Sequence, residues 1–483
     1  METNILGYEP ELLWQEFQAI SNIPRCTGAE ARVLEYIRGQ AESRGLAVRR
    51  DEAGNMLVCL PASEGCERIP GIIIQAHVDM VCEQNMNSTH NFDSDSIRLK
   101  TDGDWLSAEG TTLGADNGIA VAMMLALMKG DYPHGPLELL FTIDEEGGLI
   151  GALKLDPDIL RYTRMINLDS EEEGIFYIGC AGGMETVGHL PLTWEKAPAQ
   201  MLNCRIFVSG LSGGHSGTEI YRQLGNSLVL ASRVLRNLPD SVRVYNIFGG
   251  DRHNAIPREA FIDILIPASE KNAVSEIINT DLQTFLREFS ASEPALNIGF
   301  ELRNTNYPAR VLRRECRKTL SDLLISIPHG VLRMSAIVEG LVSESTNFAA
   351  VRIQDGNLQV LTSQRSDIQS LIEDAGNRTA APFFLAGGSA RSAREYPGWQ
   401  PNPDSGLLKA ALAAWKRETG KQAEVRTIHA GLECGVIGAK MDNPDMISFG
   451  PDILGAHTPD ERCSISSCSR VFTFLLKFLV SVK

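Results

Sequence analysis

Two side chains that could take part in metal binding stand two residues apart at the end of an apolar segment. The stretch from Gly71 to Glu83 reads GIIIQAHVDMVCE, and its strand-like part ends at His77, followed by Asp79. Residues two apart on a strand face the same side, so the imidazole and the carboxylate are expected to project together. A metal-binding His usually donates its other ring N–H to such an acceptor. By itself such a pair is more often an ordinary polar strand end, because short motifs frequently match by chance.

Further acid and imidazole side chains follow other apolar segments. Glu145 and Glu146 end LELLFTIDEE, Asp169 follows MINL, Asp116 precedes the apolar helix IAVAMMLALMKG, and His457 lies in the loop GAHTP. Each has an ordinary alternative as a turn, a helix N-cap or a solvated strand exit. In parallel α/β sheets, however, functional groups gather at the carboxyl ends of the strands. Their coincidence at strand ends favours one common site.

The donor types at this site suit a particular group of cations. Two imidazoles with several carboxylates match Zn²⁺, or a neighbour such as Mn²⁺ or Co²⁺. Two ions would need a carboxylate between them, and a further carboxylate would have to stay unligated as general base. The adjacent Glu145 and Glu146 offer a base and a ligand. The sequence has no Cys-x-x-Cys motif, so no cysteine ligands are expected.

Composition excludes several functional classes. The chain has 45 Lys and Arg against 61 Asp and Glu, a formal charge of −16, which argues against nucleic-acid binding. The first residues lack a basic signal-peptide start, and no stretch reaches the roughly 20 apolar residues of a membrane span. Ten scattered cysteines favour reduced thiols over a disulfide framework. We therefore expect a cytoplasmic protein with no nucleic-acid or membrane partner.

The order of the elements that must position these residues predicts a discontinuous domain. Strand and helix segments alternate up to residue 182 and again over 393–483, which predicts an α/β fold with a mostly parallel mixed sheet flanked by helices. Residues 183–392 are β-rich with helices between, which predicts an inserted α+β domain. Two local predictions are a helical region over Glu9–Glu42 and a strand in PFFLAGGSA, residues 382–390.

The complete motif series resembles the M20 metallopeptidase family. HVD, LGADNG, TIDEEGG, NLDSEEEG, SGGHSG and GAHTPDE occur in this order over most of the chain. Order and spacing are most similar to the aminoacyl-histidine dipeptidase branch of the family. The resemblance implies a dinuclear zinc peptidase fold, in which 1–182 and 393–483 form the catalytic metal-binding domain and 183–392 form a lid that binds substrate.

The resemblance also implies roles for the single residues. It gives five ligands for two Zn²⁺ ions per chain, with Co²⁺ or Mn²⁺ as substitutes. They are His77 and Asp169 on one ion, Glu146 and His457 on the other, and Asp116 between the two. Asp79 would orient His77 without touching the metal, and Glu145 would be the general base. A cis peptide is implied after Asp116.

In the predicted lid, three residues resemble groups that contact substrate. His215 would help bind the oxyanion of the transition state, Asn254 would hold substrate, and Arg365 would bind its terminal carboxylate through a bidentate contact. A salt bridge within the lid is the alternative for Arg365, and His253 is a weaker candidate than its neighbour. The insert is nearly twice as long as a single small lid, which leaves open whether His215 completes its own site or that of a partner in a homodimer.

The implied activity is hydrolysis of unblocked dipeptides, including Xaa-His, carnosine-like substrates, with Glu145 activating a metal-bound water. An amidohydrolase or deacylase of the same family is the alternative, because it would share the metal chemistry. A non-catalytic scaffold with this fold is a third reading. It predicts loss of the base or of a ligand, whereas all of them are present. The physiological metal, the preferred amino-terminal residue and the oligomeric state stay open.

Overall fold

A computed structural model describes residues 5–304, 307–336, 338, 340–442 and 444–482. Contacts divide the chain into two units, of which unit 1 comprises Met1–Cys180, Trp399–Ile428 and Leu432–Lys483. Unit 2 comprises Ala181–Gly398 and His429–Gly431. The insert predicted at 183–392 therefore lies within unit 2, which is longer at both ends and includes a tripeptide from the later segment. The functional division into a catalytic domain and a lid stays a prediction.

The described residues form eleven α-helices. They are α1 (Glu11–Ser21), α2 (Ala31–Ser43), α3 (Ala115–Lys129), α4 (Ile150–Lys154), α5 (Ser227–Asn237), α6 (Lys271–Glu288), α7 (Arg314–Ser326), α8 (Gln369–Leu385), α9 (Gly406–Thr419), α10 (Glu433–Gly438) and α11 (Ile465–Leu479).

The same residues form twenty-five strands. They are β1 (Ala47–Arg50), β2 (Met56–Leu60), β3 (Ile72–His77), β4 (Leu99–Asp102), β5 (Trp105–Ala108), β6 (Leu137–Thr142), β7 (Arg164–Asn167), β8 (Ile175–Cys180), β9 (Gly182–Pro191), β10 (Trp194–Lys196), β11 (Leu202–Ser209), β12 (Gly214–His215), β13 (Arg243–Gly249), β14 (Ala255–Ile256), β15 (Ala260–Ile266), β16 (Asn297–Leu302), β17 (Arg310–Leu312), β18 (Gly330–Met334), β19 (Val342–Gln354), β20 (Asn357–Ser366), β21 (Ser389–Tyr396), β22 (Glu424–Ile428), β23 (Asp445–Ser448), β24 (Ile453–Leu454) and β25 (Arg462–Ser464).

Unit 1 is built on an eight-stranded sheet in the order β1-β2-β6-β3-β7-β23-β8-β22. The pairs β6–β3, β3–β7, β7–β23 and β8–β22 are parallel, and the other three pairs are antiparallel. Every residue of β3 and β6 is buried, which explains their unbroken apolar sequences. The mostly parallel mixed α/β sheet predicted from the sequence is confirmed. A second sheet of unit 1 has the order β24-β25-β5-β4.

The helices of unit 1 carry much of its apolar core. Residues 118–128 of α3 are buried on every side, as the sequence of this helix predicts. On α11, Phe474 packs edge-to-face against Phe176, Trp415 and Phe449, with ring centroids 5.7, 5.0 and 5.2 Å away. None of the helices in the described part of the chain combines the length and the hydropathy that crossing a bilayer requires.

The helical region predicted over Glu9–Glu42 is interrupted. Helix α1 ends at Ser21 and α2 begins at Ala31. The intervening segment contains Pro24, which disfavours helical geometry in the residue before it, and Gly28, whose φ is 81°. The helical prediction is therefore wrong over this loop, and Arg25 of the loop contacts the site described below.

Unit 2 contains a nine-stranded antiparallel sheet in the order β16-β11-β15-β13-β19-β20-β9-β21, with β18 paired to β19. Its buried core joins this sheet to α5, α6, α7 and α8. The strand predicted over residues 382–390 is wrong at its start, because Pro382–Leu385 form the last turn of α8 and β21 begins at Ser389. Phe383 is fully buried on this turn, against the backbone of Gly188 on β9. These apolar residues therefore pack α8 against the sheet.

Two of the ten cysteines are joined in a disulfide, between Cys26 and Cys82. The prediction of reduced thiols is wrong for this pair, whereas the other eight cysteines are thiols. The two bonded residues are 56 positions apart, and a β-bridge between Cys26 and Met80 brings their segments together. Only the tertiary fold creates this proximity.

Candidate metal centre

Three neighbouring strands of unit 1 deliver acid and imidazole groups to one edge of the sheet. β3 ends at His77, β6 ends three residues before Glu145, and β7 ends two residues before Asp169. The pairs β3–β6 and β3–β7 are parallel, so their carboxyl ends meet at the same edge. Asp116 joins them from the start of α3, and His457 joins from the loop after β24.

The five candidate ligands lie in hydrogen-bonding distance of one another. His77 Nε2 lies 3.1 Å from Asp116 Oδ1 and 3.3 Å from Asp169 Oδ1. His457 Nε2 lies 3.0 Å from Asp116 Oδ2 and 2.9 Å from Glu146 Oε1. Each oxygen of the Asp116 carboxylate therefore faces a different imidazole. This is the arrangement that a carboxylate shared by two cations requires.

These donors fit divalent metal ions. Three overlapping groups could each hold an ion, with ligand atoms within 4.8 Å of one another. The groups are His77 with Asp116 and Asp169, Asp116 with Glu146 and His457, and His77 with Glu145 and Glu146. All donors are nitrogen or oxygen atoms, which suit Zn²⁺, Mn²⁺ and Co²⁺.

The electrostatics of the cluster favour positive charge. The hydrogen bonds that His457 donates to the carboxylates of Asp116 and Glu146 raise the pKa of His457 to about 11. Burial opposes the charge on His77, yet the surrounding carboxylates, Asp169 foremost, raise the pKa of His77 well above its ordinary value. The negative charge of the carboxylates, which favours a proton on each imidazole, also favours divalent cations bound among these side chains.

Burial lowers the pKa of an imidazole but raises the pKa of a carboxyl group. Burial raises the pKa of Glu145 well above its ordinary value, and the charges of Asp169 and Glu146 add to this effect. Burial likewise raises the pKa of Asp169 to about 6, although His77 opposes the shift. Crowded carboxylates with raised pKa values are typical of functional sites.

Asp79 contacts three residues of the cluster, His77, Glu145 and Glu146. His77 Nδ1 lies 3.2 Å from the Asp79 carbonyl oxygen and 3.4 Å from Asp79 Oδ1. The Asp79 carboxylate also accepts the backbone N–H groups of Glu145 (3.1 Å) and Glu146 (3.2 Å) and the hydroxyl of Thr27 (3.0 Å). It belongs to none of the three candidate metal groups. Its contacts therefore orient the imidazole and the two glutamates.

The turn at the start of α3 is fixed by groups that sequence reasoning missed. The peptide bond between Asp116 and Asn117 is cis, as the family resemblance implies. Glu461 accepts four backbone N–H groups from residues 113–116. From the loop after α1, Arg25 donates to the carbonyl oxygens of Val78, Asp79 and Gly114. Glu461 closes the motif GAHTPDE, and its position four residues after His457 was the available signal.

A third missed residue is Glu433, whose buried side chain contacts two of the strands that end at the cluster. Its Oε2 accepts hydrogen bonds from Gln75 Nε2 (2.5 Å) and Thr142 Oγ1 (2.7 Å), which lie on β3 and β6. Gln75 Oε1 in turn accepts from Asn167 Nδ2 on β7 (2.7 Å). Burial raises the pKa of Glu433 to about 8. This network ties together the three strands that end in the cluster.

Unit 2 contains a separate group of predicted site residues, with His215 at the start of a short turn. His215 Nδ1 accepts the backbone N–H groups of Gly217 (3.3 Å) and Thr218 (3.0 Å). These bonds place the ring proton of the neutral imidazole on Nε2. Burial lowers the pKa of His215 to about 4, and the charge of Arg365 adds to the shift. His215 is therefore a neutral hydrogen-bond donor at neutral pH.

Arg365 lies close to His215 within unit 2. A Cβ on Gly217 would lie 3.0 Å from His215 Cε1 and 3.3 Å from Arg365 Nε, so the two side chains flank this glycine. Arg365 Nη1 donates to the hydroxyl of Tyr396 (3.0 Å), and its buried Nε has no hydrogen-bond partner in the described part of the chain. Asn254 joins the same turn through its carbonyl oxygen, which accepts from Ser216 N (2.8 Å).

His253, beside Asn254, points to a different neighbour. Its Nδ1 lies 3.5 Å from Glu185 Oε1, and its carbonyl oxygen accepts a hydrogen bond from Asn347 Nδ2. The predicted residues thus form two groups, one around the carboxyl ends of the unit 1 strands and one on the turn of His215 in unit 2.

Comparison with known proteins gives consistent matches over the whole chain. The profile of peptidase family M20/M25/M40 matches residues 73–481. The chain is 37% identical over 476 residues to the cytosol non-specific dipeptidase of Escherichia coli (strain K12), and the match covers 98% of each protein.

Solved structures give the same result. The crystal structure of aminoacylhistidine dipeptidase from Vibrio alginolyticus matches with a TM-score of 0.90 and 35% identity, over 100% of this chain and 98% of that one. Aminopeptidase PepT from Bacillus cereus matches with a TM-score of 0.57 and 15% identity, over 98% and 99% of the two chains, and this shows likeness of fold alone. With its profile match, its full-length relatives and its strand-end cluster of imidazoles and carboxylates, this chain belongs to peptidase family M20/M25/M40.

Proposed function

We propose that this chain is a metal-dependent dipeptidase that binds two divalent ions and hydrolyses unblocked dipeptides, including Xaa-His, carnosine-like substrates. The observation that carries the proposal is the Asp116 carboxylate, whose two oxygens face His77 and His457 at 3.1 and 3.0 Å. The names of the two relatives at 37% and 35% identity described above also state dipeptidase activity. Zn²⁺ is the proposed ion, with Co²⁺ or Mn²⁺ as substitutes.

The proposed ligands follow the two groups that share Asp116. His77 and Asp169 would hold one ion, and Glu146 and His457 the other. When bound, such ions lower the pKa of a coordinated water and polarise the scissile carbonyl.

The protein's own groups then have distinct tasks. Glu145 accepts the proton of the attacking water and returns it to the leaving amine, because its carboxyl is the one of the cluster that the proposed ligand set leaves unused. Asp79 holds His77 and the backbone N–H groups of Glu145 and Glu146 in place. These contacts keep the turn that carries the base beside the ligands.

The group in unit 2 is proposed to bind the substrate. His215 would donate its Nε2 proton to the developing oxyanion, a task for which a neutral imidazole with this tautomer is suited. Arg365 would bind the terminal carboxylate through its unpartnered Nε, and Asn254 would hold substrate near the turn. Whether this group serves its own chain or a partner in a homodimer is decided by the dependence of specific activity on dilution.

A dipeptide panel tests the proposed activity. The apoprotein is reconstituted with Zn²⁺, Co²⁺ or Mn²⁺ and assayed with Ala-His, β-Ala-His and other free dipeptides. N-acetyl amino acids and blocked dipeptides are the controls. Hydrolysis of the free dipeptides alone supports the proposal, whereas preferred hydrolysis of N-acetyl amino acids would assign a deacylase instead.

We also propose that the protein works in the cytoplasm. The support is the word "cytosol" in the name of the relative that is 37% identical, together with eight cysteines that are thiols. The Cys26–Cys82 disulfide is the feature that a reducing compartment opposes. Fractionation of cells followed by immunodetection of the protein tests this point. Recovery in the cytosolic fraction supports the proposal, and recovery in a secreted or membrane-enclosed fraction would overturn it.

A further inference from the structure

One buried carboxylate in unit 1 accepts hydrogen bonds from four consecutive backbone N–H groups. Glu461 Oε2 accepts from Leu113 N (2.7 Å) and Gly114 N (2.8 Å), and Oε1 accepts from Ala115 N (2.7 Å) and Asp116 N (3.2 Å). The Glu461 side chain is 2% exposed. Consecutive N–H groups that converge in this way form an anion-binding concavity, and the N-terminus of α3 adds its favourable dipole.

The position of Glu461 connects two parts of the candidate metal centre. It lies four residues after His457 in the same loop, and the last N–H that it accepts is that of Asp116 itself. The carboxylate thus joins the segment that carries one imidazole to the turn that carries the shared acid. The link spans 345 positions of the sequence.

The same turn is held from a second direction by Arg25. Its Nη2 donates to the carbonyl oxygen of Gly114 (2.5 Å), while its Nη1 donates to the carbonyl oxygens of Val78 and Asp79 (3.0 and 3.2 Å). Gly114 has a φ of 71°, and a Cβ there would lie 2.6 Å from Arg25 Nη2. A glycine is needed here because both the backbone conformation and the approach of Arg25 exclude a side chain.

We propose that Glu461 is a positioning residue that fixes the Asp116 carboxylate between His77 and His457. The inference rests on the proposed role of Asp116 as the ligand shared by two ions. Asp116 can present one oxygen to each side only while its backbone is held, and Glu461 supplies the acceptors for all four N–H groups of that turn. Loss of a group that orients a metal ligand typically weakens metal binding by about 10–100-fold.

Titration of the apoprotein with Co²⁺, followed by visible absorption, tests the proposal without measuring activity. Glu461→Gln keeps the size of the side chain but turns an amide NH₂ towards the backbone N–H groups of the turn. We expect Co²⁺ affinity to fall by about 10-fold or more and the absorption bands to change, since the shared ligand moves. Wild-type affinity and an unchanged spectrum in this variant would overturn the proposal.

Asp51→Asn is the matched control in the same unit. Asp51 is also a buried carboxylate that organises a loop, since it accepts the backbone N–H groups of Gly54 (2.8 Å), Asn55 (2.9 Å) and Asp156 (3.3 Å). It belongs to none of the candidate metal groups. We expect wild-type Co²⁺ binding in this variant. Equal weakening in both variants would mean general loosening of unit 1 and would also overturn the proposal.

Two further results separate this inference from the proposed function. A wild-type protein that binds no Co²⁺ would overturn the metal centre itself, and the inference with it, whereas a wild-type protein that binds Co²⁺ leaves the variants to decide. If Glu461→Gln does not fold, as judged by circular dichroism, Glu461→Asp replaces it. That variant keeps the charge but withdraws it from the N–H groups by one methylene, so we expect several-fold weaker binding, and wild-type affinity would overturn the proposal.

Discussion

Replacement of Glu145 is the sharpest test of how this site works. Its backbone N–H is bound by Asp79 Oδ1, so a change of the side chain leaves the main chain of the turn tethered. Glu145→Gln is nearly isosteric and removes only the ability to accept a proton. We therefore expect the variant to fold, to bind metal ions as the wild type does, and to lose turnover.

The size of the loss follows from the role proposed for the base. General-base catalysis contributes roughly 10²–10⁴-fold in rate, which is about 2.7–5.4 kcal/mol of transition-state stabilisation. The neighbouring acids Asp169 and Glu146 are both assigned as ligands and cannot replace Glu145. We therefore expect the upper half of this range, a decrease in kcat of about 10³-fold or more with a nearly unchanged KM.

The assay combines steady-state hydrolysis of a free dipeptide with metal analysis of the same protein. Asp144→Asn is the control, because it removes the adjacent carboxyl group, and φ at Asp144 is 51°, a conformation that Asn adopts readily. Asp144 is in none of the candidate metal groups, and we expect this variant to keep wild-type kcat within a few-fold. A Glu145→Gln variant that binds metal and keeps wild-type kcat would refute the assignment of the base.

Four other predictions concern metal ions, substrate and stability. Removal of metal with a chelator should abolish hydrolysis and lower the free energy of unfolding by about 2.7 kcal/mol for each ion lost, relative to protein at a hundred times the metal Kd. An unchanged melting temperature would contradict specific binding. Arg365→Lys should raise KM for free dipeptides by about 10–100-fold but not for dipeptide amides, and equal KM changes for both substrates would place Arg365 outside the carboxylate subsite. Glu433→Ala removes the acceptor of the Thr142 hydroxyl and one of the two acceptors of Gln75 Nε2, the other being Thr142 Oγ1. We expect it to lower the free energy of unfolding by about 1–3 kcal/mol, whereas Glu433→Gln keeps an acceptor and should be less damaging. Urea unfolding that ranks the two variants otherwise would contradict the network. Burial lowers the pKa of His329 to about 4, so the unfolded chain binds a proton at higher pH than the folded one. The free energy of unfolding should therefore fall as the pH drops from about 6.5 towards 4. His329→Gln should reduce that pH dependence in urea unfolding, and the same dependence in the variant as in the wild type would contradict this prediction.

Much of the site could be predicted because it depends on local chemistry. His77, Glu145, Glu146 and Asp169 all follow strands whose apolar sequences identify them, and parallel strands bring their carboxyl ends together. Asp116 and His457 were candidates from their residue types, and the resemblance carried by the motif order then assigned them as metal ligands. These residues do form one cluster, although their roles stay predictions.

Other features could not be read from local patterns. The break between α1 and α2 frees a loop from which Arg25 donates to the carbonyl oxygens of Gly114, Val78 and Asp79. Pro24 and Gly28 mark the break in the sequence, but these distant acceptors have no local signal. The apolar residues 382–384 are compatible with a strand or with a buried helix. In the structure they belong to α8, where Phe383 packs against β9.

The sequence by itself determined the donors at this site, because metal-binding residue types at strand ends follow from chemistry and from the two-residue period of a strand. Only the tertiary structure decided which groups hold those donors in place. Glu461 meets the turn of Asp116 across 345 positions, Glu433 meets Gln75 across 358, and Cys26 meets Cys82 across 56. A hydrogen bond or a disulfide between such distant segments has no local period or spacing, so it becomes visible only when packing of the core has brought the segments together.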